Sequence, residues 1–369
     1  MYKTFDERTM AVFAEMETSY EDMNNVMQDL ALGREIFEAG EKISNAEANA
    51  KVLEFSHKIL GITDVKDAKA VRRAFRDNHQ RWFDVIEDTL DTSVTVGLQA
   101  TDWYQQLVED KSIAYHDRLD FYVDNDALLA VAKAGTSHHD HIIQRIGGGE
   151  RYTVPTDLYV VKVGEDINRY ITGMIDWAKL VGKITESFIA EIQNQVYAEV
   201  STVASKLPVT AGFVGTGTLA PATKADFDAI IENVSAANNG AEVVIMGSKS
   251  ALSKISALAD VYWAASDQKN SVMNSGNIGI YEGTKLVTIP NRFKDKTFTE
   301  KVFPSNVLTI LPAIGDDGKF VKFVDEGDTL ILEKMDRGDY TSDIQTYEVQ
   351  RRFGVATVLG RQVGQWTIE

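Results

Sequence analysis

The stretch that decides the fold is residues 166–206, which read DINRYITGMIDWAKLVGKITESFIAEIQNQVYAEVSTVASK. Its apolar residues recur at steps of three or four and so lie along one stripe of an α-helix: Trp177, Val181, Ile184, Phe188, Ile192, Val196, Val200 and Val203. From Met174 to Ser205 such a helix spans about 48 Å at about 1.5 Å per residue. The pattern predicts one long spine helix that packs on its own chain, with a kink or an earlier short helix at Gly173 and an end at Pro208.

The composition of the 369 residues bounds the class of protein. A chain of this length with 44% hydrophobic residues can fill the cores of two or three packed domains. The formal net charge of -17 argues against a protein that binds nucleic acid through a large positive surface. The lack of cysteine excludes disulfides, thiolate metal sites and cysteine nucleophiles. Without a signal peptide or a long apolar run, the sequence predicts a soluble protein made in a reducing cytoplasm, with no membrane partner.

The residues before Thr92 have a helical pattern. Residues 5–32 carry apolar side chains at alternating steps of three and four, capped by Gly33: Phe13, Met16, Tyr20, Met23, Met27 and Leu30. This spacing fits either a seam for a partner helix or packing on the same chain. Further helices are predicted at Ala46–Leu60, closed by Gly61, and from Asp67 to Asp91. Together these segments predict a helical arm or a small helical domain.

A basic stripe lies on the helix that begins at Asp67. It gathers the densest positive charge of an acidic chain and consists of Lys66, Lys69, Arg72, Arg73 and Arg76. Such a stripe can contact nucleic acid or an acidic partner. The alternative, which we favour, is a solvated face partly balanced by Asp64, Asp67 and Asp77.

Between Thr92 and Gly164 the pattern changes to strands and loops. Strands are predicted at Ser93–Leu98, Leu119–Val123 and Leu158–Val163, and in the last of these Tyr159, Val161 and Val163 share one side. Residues 136–149 form a long polar excursion that includes a glycine triplet, which is unusual inside a compact domain. We therefore expect an extended hairpin that reaches across to a neighbour.

The chain after the spine predicts a second domain. Residues 208–223 are rich in Gly, Thr, Ala and Pro and form a crossing into it. A helix at Lys224–Ala237, a buried strand at Ala241–Met246, a helix capped by Ser248 and the alternating segment Ile278–Ile289 indicate a small α/β domain. Val307–Leu311 leads out of it. The tail returns to strands separated by glycines, at Lys319–Val324, Thr329–Glu333, Thr346–Phe353 and Val355–Leu359.

Few residues could carry chemistry. The best candidate for a metal site is the cluster His138, His139, Asp140 and His141. Adjacent residues of a strand point to opposite sides, which favours a polar loop tip instead. The two glycine-bearing stretches, Gly212 to Gly217 and Gly247 to Ser250, lack the glycine order of nucleotide-binding loops. We therefore predict no catalytic, cofactor-binding or metal-binding residue, no cofactor and no enzymatic activity.

Four short segments occur in an order that resembles a known family. They are Lys162-Val163-Gly164-Glu165-Asp166, Val243-Val244-Ile245-Met246-Gly247-Ser248, Tyr281-Glu282-Gly283-Thr284-Lys285-Leu286-Val287 and Tyr347-Glu348-Val349-Gln350-Arg351-Arg352-Phe353-Gly354-Val355. From Thr92 to Glu369, the order of parts resembles the major capsid protein of tailed bacteriophages, whose fold is named after the phage Hong Kong 97.

The resemblance implies an α+β fold in four parts. Residues 1–91 would be a helical N-terminal arm or a scaffold-like segment. Residues 92–208 would begin a peripheral domain, with an extended loop near residues 115–162 and the spine helix near residues 166–206. Residues 209–311 would form an axial α/β domain, and residues 312–369 the strands that return to the peripheral domain.

The resemblance also implies a structural function. Such proteins self-assemble, as pentamers and hexamers, into the icosahedral head that encloses the genome of a tailed bacteriophage, so the chain would be part of a virion. Its partners would be further copies of itself, scaffolding, portal or decoration proteins, and double-stranded DNA bound non-specifically. The loop would lie over the adjacent subunit, and the arm would embrace another. The alternatives are an encapsulin-like shell around cargo protein and a metal-dependent α/β enzyme.

Overall fold

The computed structural model describes residues 7–16, 19–38, 41–123, 148–165, 173, 174, 176, 178–206, 211–258, 278–293, 297–313, 319–334, 345–358 and 360–369. The α-helices in these ranges are α1 (Glu7–Glu15), α2 (Tyr20–Leu32), α3 (Asn45–Leu60), α4 (Ala68–Gln99), α5 (Asp102–Leu107), α6 (Lys183–Lys206), α7 (Lys224–Ala237) and α8 (Lys249–Ile255). The strands are β1 (Ile36–Glu38), β2 (Glu41–Ile43), β3 (Val108–Ile113), β4 (Asp120–Val123), β5 (Glu150–Thr153), β6 (Asp157–Glu165), β7 (Val214–Thr216), β8 (Val243–Ser248), β9 (Ile280–Tyr281), β10 (Thr284–Ile289), β11 (Val307–Pro312), β12 (Val321–Lys334), β13 (Gln345–Thr357) and β14 (Gly364–Thr367). Helices thus accompany two main, largely antiparallel sheets, which confirms the expected α+β class.

The first sheet has four strands in the order β3-β12-β13-β6. β12 and β13 pair antiparallel, β6 is antiparallel to β13, and β3 runs parallel to β12. A bulge at Gly327, whose φ is 74°, shifts the register between Glu326 and Leu330. The two strands predicted at Lys319–Val324 and Thr329–Glu333 are therefore one bent strand, because the glycine bends the strand without ending it.

β13 is also longer than predicted. Gly354 lies inside this strand and does not separate the predicted strands Thr346–Phe353 and Val355–Leu359. A Cβ atom at Gly354 would lie 2.1 Å from the carbonyl oxygen of Pro155. The glycine therefore serves a close approach of two backbone segments within the sheet.

Helices cover one face of this sheet. α4 and α6 contact it directly, and α2 and α3 pack on α4. Buried side chains from all four helices and from β12 and β13 form one continuous apolar core, with Phe55, Trp82 and Ile192 among its most buried members. The helical segment before Thr92 is therefore joined to the first sheet by a shared core.

The strand predicted at Ser93–Leu98 is wrong, because α4 continues to Gln99. Val94 and Leu98 follow Leu90 at steps of four, and all three side chains are buried. The hydroxyl of Thr92 donates to the carbonyl oxygen of Asp88 at 2.6 Å, which accommodates this β-branched residue in the helix. The helix thus crosses the predicted boundary at residue 91, and the division into functional domains stays a prediction.

The predicted N-terminal helix at residues 5–32 is two helices. Ser19 has extended backbone angles and caps α2 by accepting a hydrogen bond from the amide of Asp22, so the helix must restart there. The predicted cap at Gly33 is confirmed, with φ at 65°. Phe13 is buried, and its ring lies 4.8 Å from that of Phe55, centroid to centroid. Of the two interpretations of this segment, packing on its own chain is confirmed.

The spine helix begins later than the sequence predicts. Gly173 has a φ of 74°, which interrupts a helix, and a π-helical turn at Ala178–Gly182 leads into α6. The wide turn lets α2 approach, since a Cβ atom at Gly182 would lie 2.8 Å from the carbonyl oxygen of Ala31. The apolar stripe is confirmed from Val181 to Val200, where every predicted member is buried.

The second sheet has the order β7-β14-β11-β8-β10-β9. The predicted helix Lys224–Ala237 and the capping role of Ser248 are confirmed. β7 lies inside the predicted crossing at residues 208–223. β14 also lies in this sheet, which corrects the expectation that all of residues 312–369 return to the first sheet. Trp366 explains both differences, because its buried ring packs where Gly215 leaves room and its Nε1 donates to the carbonyl oxygen of Gly217 at 3.0 Å.

Candidate functional site

The first sheet has one face that none of the described helices covers. Strand register places three cross-strand rows on it: Leu158 beside Arg352, Val160 beside Gln350 and Leu330, and Lys162 beside Glu348 and Leu332. We call these eight residues the outer sheet face. Its apolar members remain substantially exposed, at 44% for Leu158, 41% for Val160, 47% for Leu330 and 43% for Leu332. Apolar side chains on β6 and β12 thus flank the polar residues of the central strand β13, an arrangement typical of a protein contact surface.

The sequence of β6 accounts for this face. Tyr159, Val161 and Val163 point towards the helices and are partly buried, as predicted. Leu158 and Val160, which alternate with them, are also apolar, so the strand is hydrophobic on both sides. That pattern is typical of a strand covered on both faces. It is the sequence signal from which the outer sheet face could have been found.

β6 also lies at the edge of the sheet. Among the described strands it pairs with β13 alone, through a nine-residue ladder from Asp157 to Glu165. Edge strands present backbone donors and acceptors to a further strand. The apolar patch and the sheet edge are therefore adjacent features of one surface.

The predicted hairpin is confirmed at its base. β4 and β5 pair antiparallel, from Asp120 opposite Thr153 to Val123 opposite Glu150. Phe121 and Val154 pack on Val324 of β12. The hairpin therefore covers a part of the sheet that does not belong to the outer sheet face. Residues 124–147, which join the two strands, lie outside the described residues. The metal-site candidate His138, His139, Asp140 and His141 lies among them.

A buried ion pair supports the hairpin from below. Lys322 of β12 and Glu109 of β3 are cross-strand neighbours and form a salt bridge that is almost fully buried. The ammonium group of Lys322 also lies 5.3 Å from the ring centroid of Phe121, a cation–π contact. The charge pair therefore ties β3, β12 and the hairpin together.

A second ionic cluster joins the sheet to α4. Arg351 of β13 is buried and donates to Asp325 of β12 at 2.5 Å and to Asp91 of α4 at 3.2 Å. Asp91 also accepts the backbone N–H of Thr329, and Glu87 accepts that of Ile331 at 2.7 Å. Carboxylates of α4 thus satisfy backbone donors that follow the bulge in β12.

Burial changes the proton affinity of this cluster. Desolvation raises the pKa of Asp91 above its usual range, while the charge of Arg351 and the hydrogen bonds from Thr329 oppose the shift. Desolvation likewise raises the pKa of Asp325, again opposed by Arg351. One guanidinium therefore faces two carboxylates whose charged forms burial disfavours.

The comparison with protein families identifies the kind of protein to which this surface belongs. A family model described as "SPbeta prophage-derived putative capsid protein YonB" matches residues 22–367, nearly the whole chain. The chain belongs to this capsid protein family. The predicted resemblance to phage capsid proteins is thereby confirmed, and membership of this family indicates a structural role. No curated protein matches this capsid protein.

Solved capsid structures are similar to this capsid protein at low sequence identity. The mature capsid of bacteriophage PhiM1 matches with a TM-score of 0.48 at 9% identity, covering 72% of this chain and 86% of that chain. The Microbacterium phage Oxtober96 structure matches with a TM-score of 0.45 at 12% identity, covering 71% and 90%. The SrpI encapsulin of Synechococcus elongatus PCC 7942 matches with a TM-score of 0.41 at 11% identity, covering 74% and 94%. Because these scores lie below 0.5, the assignment rests on the family match.

Other candidate residues of the capsid protein have structural explanations. Ser248 accepts a hydrogen bond from the amide of Ala251 at 3.2 Å and donates to the carbonyl oxygen of Ser305, so helix capping explains the stretch Gly247 to Ser250. In the basic stripe, Lys66, Lys69, Arg73 and Arg76 are exposed, and Arg76 pairs with Asp77 at 3.2 Å. Among the helices described, none combines the length and apolar character that crossing a membrane requires.

Proposed function

We propose that copies of this capsid protein assemble through the outer sheet face into an icosahedral shell around the genome of a tailed phage. The observation that carries this proposal is the exposure of Leu158, Val160, Leu330 and Leu332 on a sheet whose opposite face packs on the helical core. Burying apolar surface contributes about 25 cal/mol per Å². Individually weak contacts suffice in a shell, because each subunit makes several at once.

The occupant of the outer sheet face is, in this proposal, the loop of an adjacent copy. The β4–β5 hairpin carries residues 124–147, and it lies at one end of the same sheet. Each subunit would then give its loop to one neighbour and receive the loop of another. Such a head-to-tail contact builds rings when its rotation closes, as pentamers and hexamers require.

The remaining parts have complementary roles. The second sheet would form the axial domain around fivefold and sixfold axes. Residues 7–99 share a core with the first sheet. This shared core favours a permanent layer of the subunit and argues against a removable scaffold. The net charge of -17 would limit adhesion of packaged double-stranded DNA, whose binding would be non-specific. Synthesis in the host cytoplasm and contacts with scaffolding, portal or decoration proteins belong to the same proposal.

Assembly of the purified chain tests the proposal. The chain is expressed alone and studied by size-exclusion chromatography and negative-stain electron microscopy, beside a Val160→Glu, Leu330→Glu double variant. We expect shells, tubes or capsomer-sized rings from the unmodified chain. We expect monomers with an unchanged melting temperature from the variant, because two carboxylates would be desolvated at the contact.

A matched control is Met10→Glu, which also places a carboxylate at an exposed apolar position but on α1. It should assemble normally. Normal particles from the double variant would contradict the proposed contact. Reproducible co-purification of one folded cargo protein inside the particles, in place of nucleic acid, would support the encapsulin-like alternative.

A further inference from the structure

The carboxylate of Glu326 accepts hydrogen bonds from the chain segments on both sides of the β4–β5 hairpin. Glu326 lies on β12 immediately before the bulge and is almost fully buried. Its Oε1 accepts the backbone N–H of His116 at 2.9 Å, and its Oε2 accepts the hydroxyl of Thr156. His116 lies between β3 and β4, and Thr156 lies between β5 and β6. The side chain of Glu326 thus joins the segment before the hairpin to the segment after it.

The hairpin has few other attachments to the sheet. Every residue from Ala114 to Arg118 is exposed. The apolar contact is the small cluster that Phe121 and Val154 form with Val324, to which Lys322 adds its cation–π contact with Phe121. A cavity of about 440 Å³ lies beside β4, between Leu119–Val123 and residues 319–322 of the sheet. Regions with few buried apolar contacts open at low free-energy cost. The two bonds of Glu326 therefore add to a small number of contacts that hold this hairpin on the sheet.

The backbone beside the carboxylate is strained. His116 has a φ of 63°, a left-handed conformation that is uncommon outside glycine and persists where its surroundings hold it. The neighbouring ring of Tyr115 lies over Gly327, and the guanidinium of Arg352 lies 5.2 Å from that ring's centroid. The N–H that Glu326 accepts belongs to the strained residue itself, so releasing this bond also lets the strain relax.

We propose that Glu326 is a latch that fixes the angle between the β4–β5 hairpin and the first sheet, with hinges at residues 114–118 and 154–156. When both bonds are made, the hairpin is held against β12. When they break, the hairpin turns as a paired unit, because its own ladder does not involve Glu326. The latch is a property of the single subunit. Its test uses the unassembled chain. The latch can therefore be disproved while the proposed shell function stands, and the shell function can be disproved while the latch stands.

Hydrogen exchange measured by mass spectrometry tests the latch. The variants are Glu326→Ala, which removes both acceptors, and Thr156→Val, which removes one donor from a half-buried position. For Glu326→Ala we expect exchange in peptides from residues 114–123 and 148–156 to become about tenfold faster, as loss of one to two net hydrogen bonds implies. Thr156→Val should act in the same direction with a smaller factor. Peptides from α4 and from residues 345–357 should keep their rates.

The matched control is Glu348→Ala, which removes a carboxylate from the neighbouring strand of the same sheet face. It should leave hairpin exchange unchanged. Unchanged exchange in Glu326→Ala would overturn the latch. Faster exchange spread evenly over β12 and β13 would overturn it too, since Glu326 would then stabilise the sheet as a whole. Should Glu326→Ala fail to fold, Thr156→Val decides by the same criterion.

Discussion

The guanidinium of Arg351 lies 3.2 Å from the carboxylate of Asp91, although 260 residues separate them in sequence. Arg351 belongs to the first sheet and Asp91 to α4, so the contact joins the sheet to the N-terminal helical layer. Asp325 completes the cluster from β12. A charged group in this position holds a helix at a defined place on a sheet. Its removal should therefore lower the free energy of unfolding of the subunit.

Replacing Arg351 with methionine should destabilise the subunit strongly. The substitution keeps much of the side-chain volume but leaves two partly buried carboxylates without a counter-charge, which costs up to about 3–5 kcal/mol. Urea unfolding of the unassembled chain measures the loss. Lys162→Met is the control, because Lys162 is exposed and lies 3.8 Å from Glu348, and such pairs contribute less than about 1 kcal/mol. Equal effects of the two substitutions would contradict a structural role of the buried cluster.

The cluster should also make stability depend on pH in a defined direction. Burial raises the pKa of Asp91 in the folded state, so the folded chain binds this proton more tightly than the unfolded chain does. The contribution of Asp91 is therefore fully present below the pKa of an ordinary aspartate and is lost as pH rises through the raised value. We expect the free energy of unfolding of the unmodified chain, relative to Asp91→Asn, to fall as pH rises from 4 to 7. A difference that grows with pH would show that Arg351 outweighs desolvation.

Two glycines at helix contacts should differ in their tolerance of alanine. A Cβ atom at Gly182 would lie 2.8 Å from the backbone oxygen of Ala31, and one at Gly97 would lie 2.5 Å from the terminal methyl group of Ile189. A side chain can change rotamer, whereas a backbone must move. Gly182→Ala should therefore cost about 1–3 kcal/mol in urea unfolding, and Gly97→Ala less. A larger cost for Gly97→Ala would indicate that the backbone of α2 moves more easily than the side chain of Ile189.

The sequence predicts several helix ends from their capping residues, although the cap at Ser19 inside the predicted helix 5–32 is not among them. Gly33 and Gly61 are left-handed caps, Asp67 accepts hydrogen bonds from two amides of α4, and Ser248 caps α8, all as predicted. These signals lie within a few residues of the helix they end. The late start of the spine helix had a local signal too, because Gly173 was recognised as a candidate kink.

Long-range contacts account for what the sequence does not predict. The continuation of α4 past Asp91 depends on burial of Val94 and Leu98 against partners distant in sequence. Glu326 and His116 are 210 residues apart, so no local pattern connects them. The outer sheet face can be predicted from the sequence only in part. Leu158 and Val160 are visible in the sequence as an apolar second side of β6, while Leu330 and Leu332 join them only through strand register.

β14 has a consequence for how the protein is made. It lies inside the second sheet, between β7 and β11, although β7 is translated about 150 residues earlier. β14 is the only described strand that pairs with β7, so β7 stays unpaired until Trp366 and the adjoining residues have emerged from the ribosome. The second sheet therefore stays incomplete until β14 has left the ribosome. Contacts made through the second sheet therefore form only after β14 has been made, and the order in which the strands are synthesised limits association of half-made chains through this sheet.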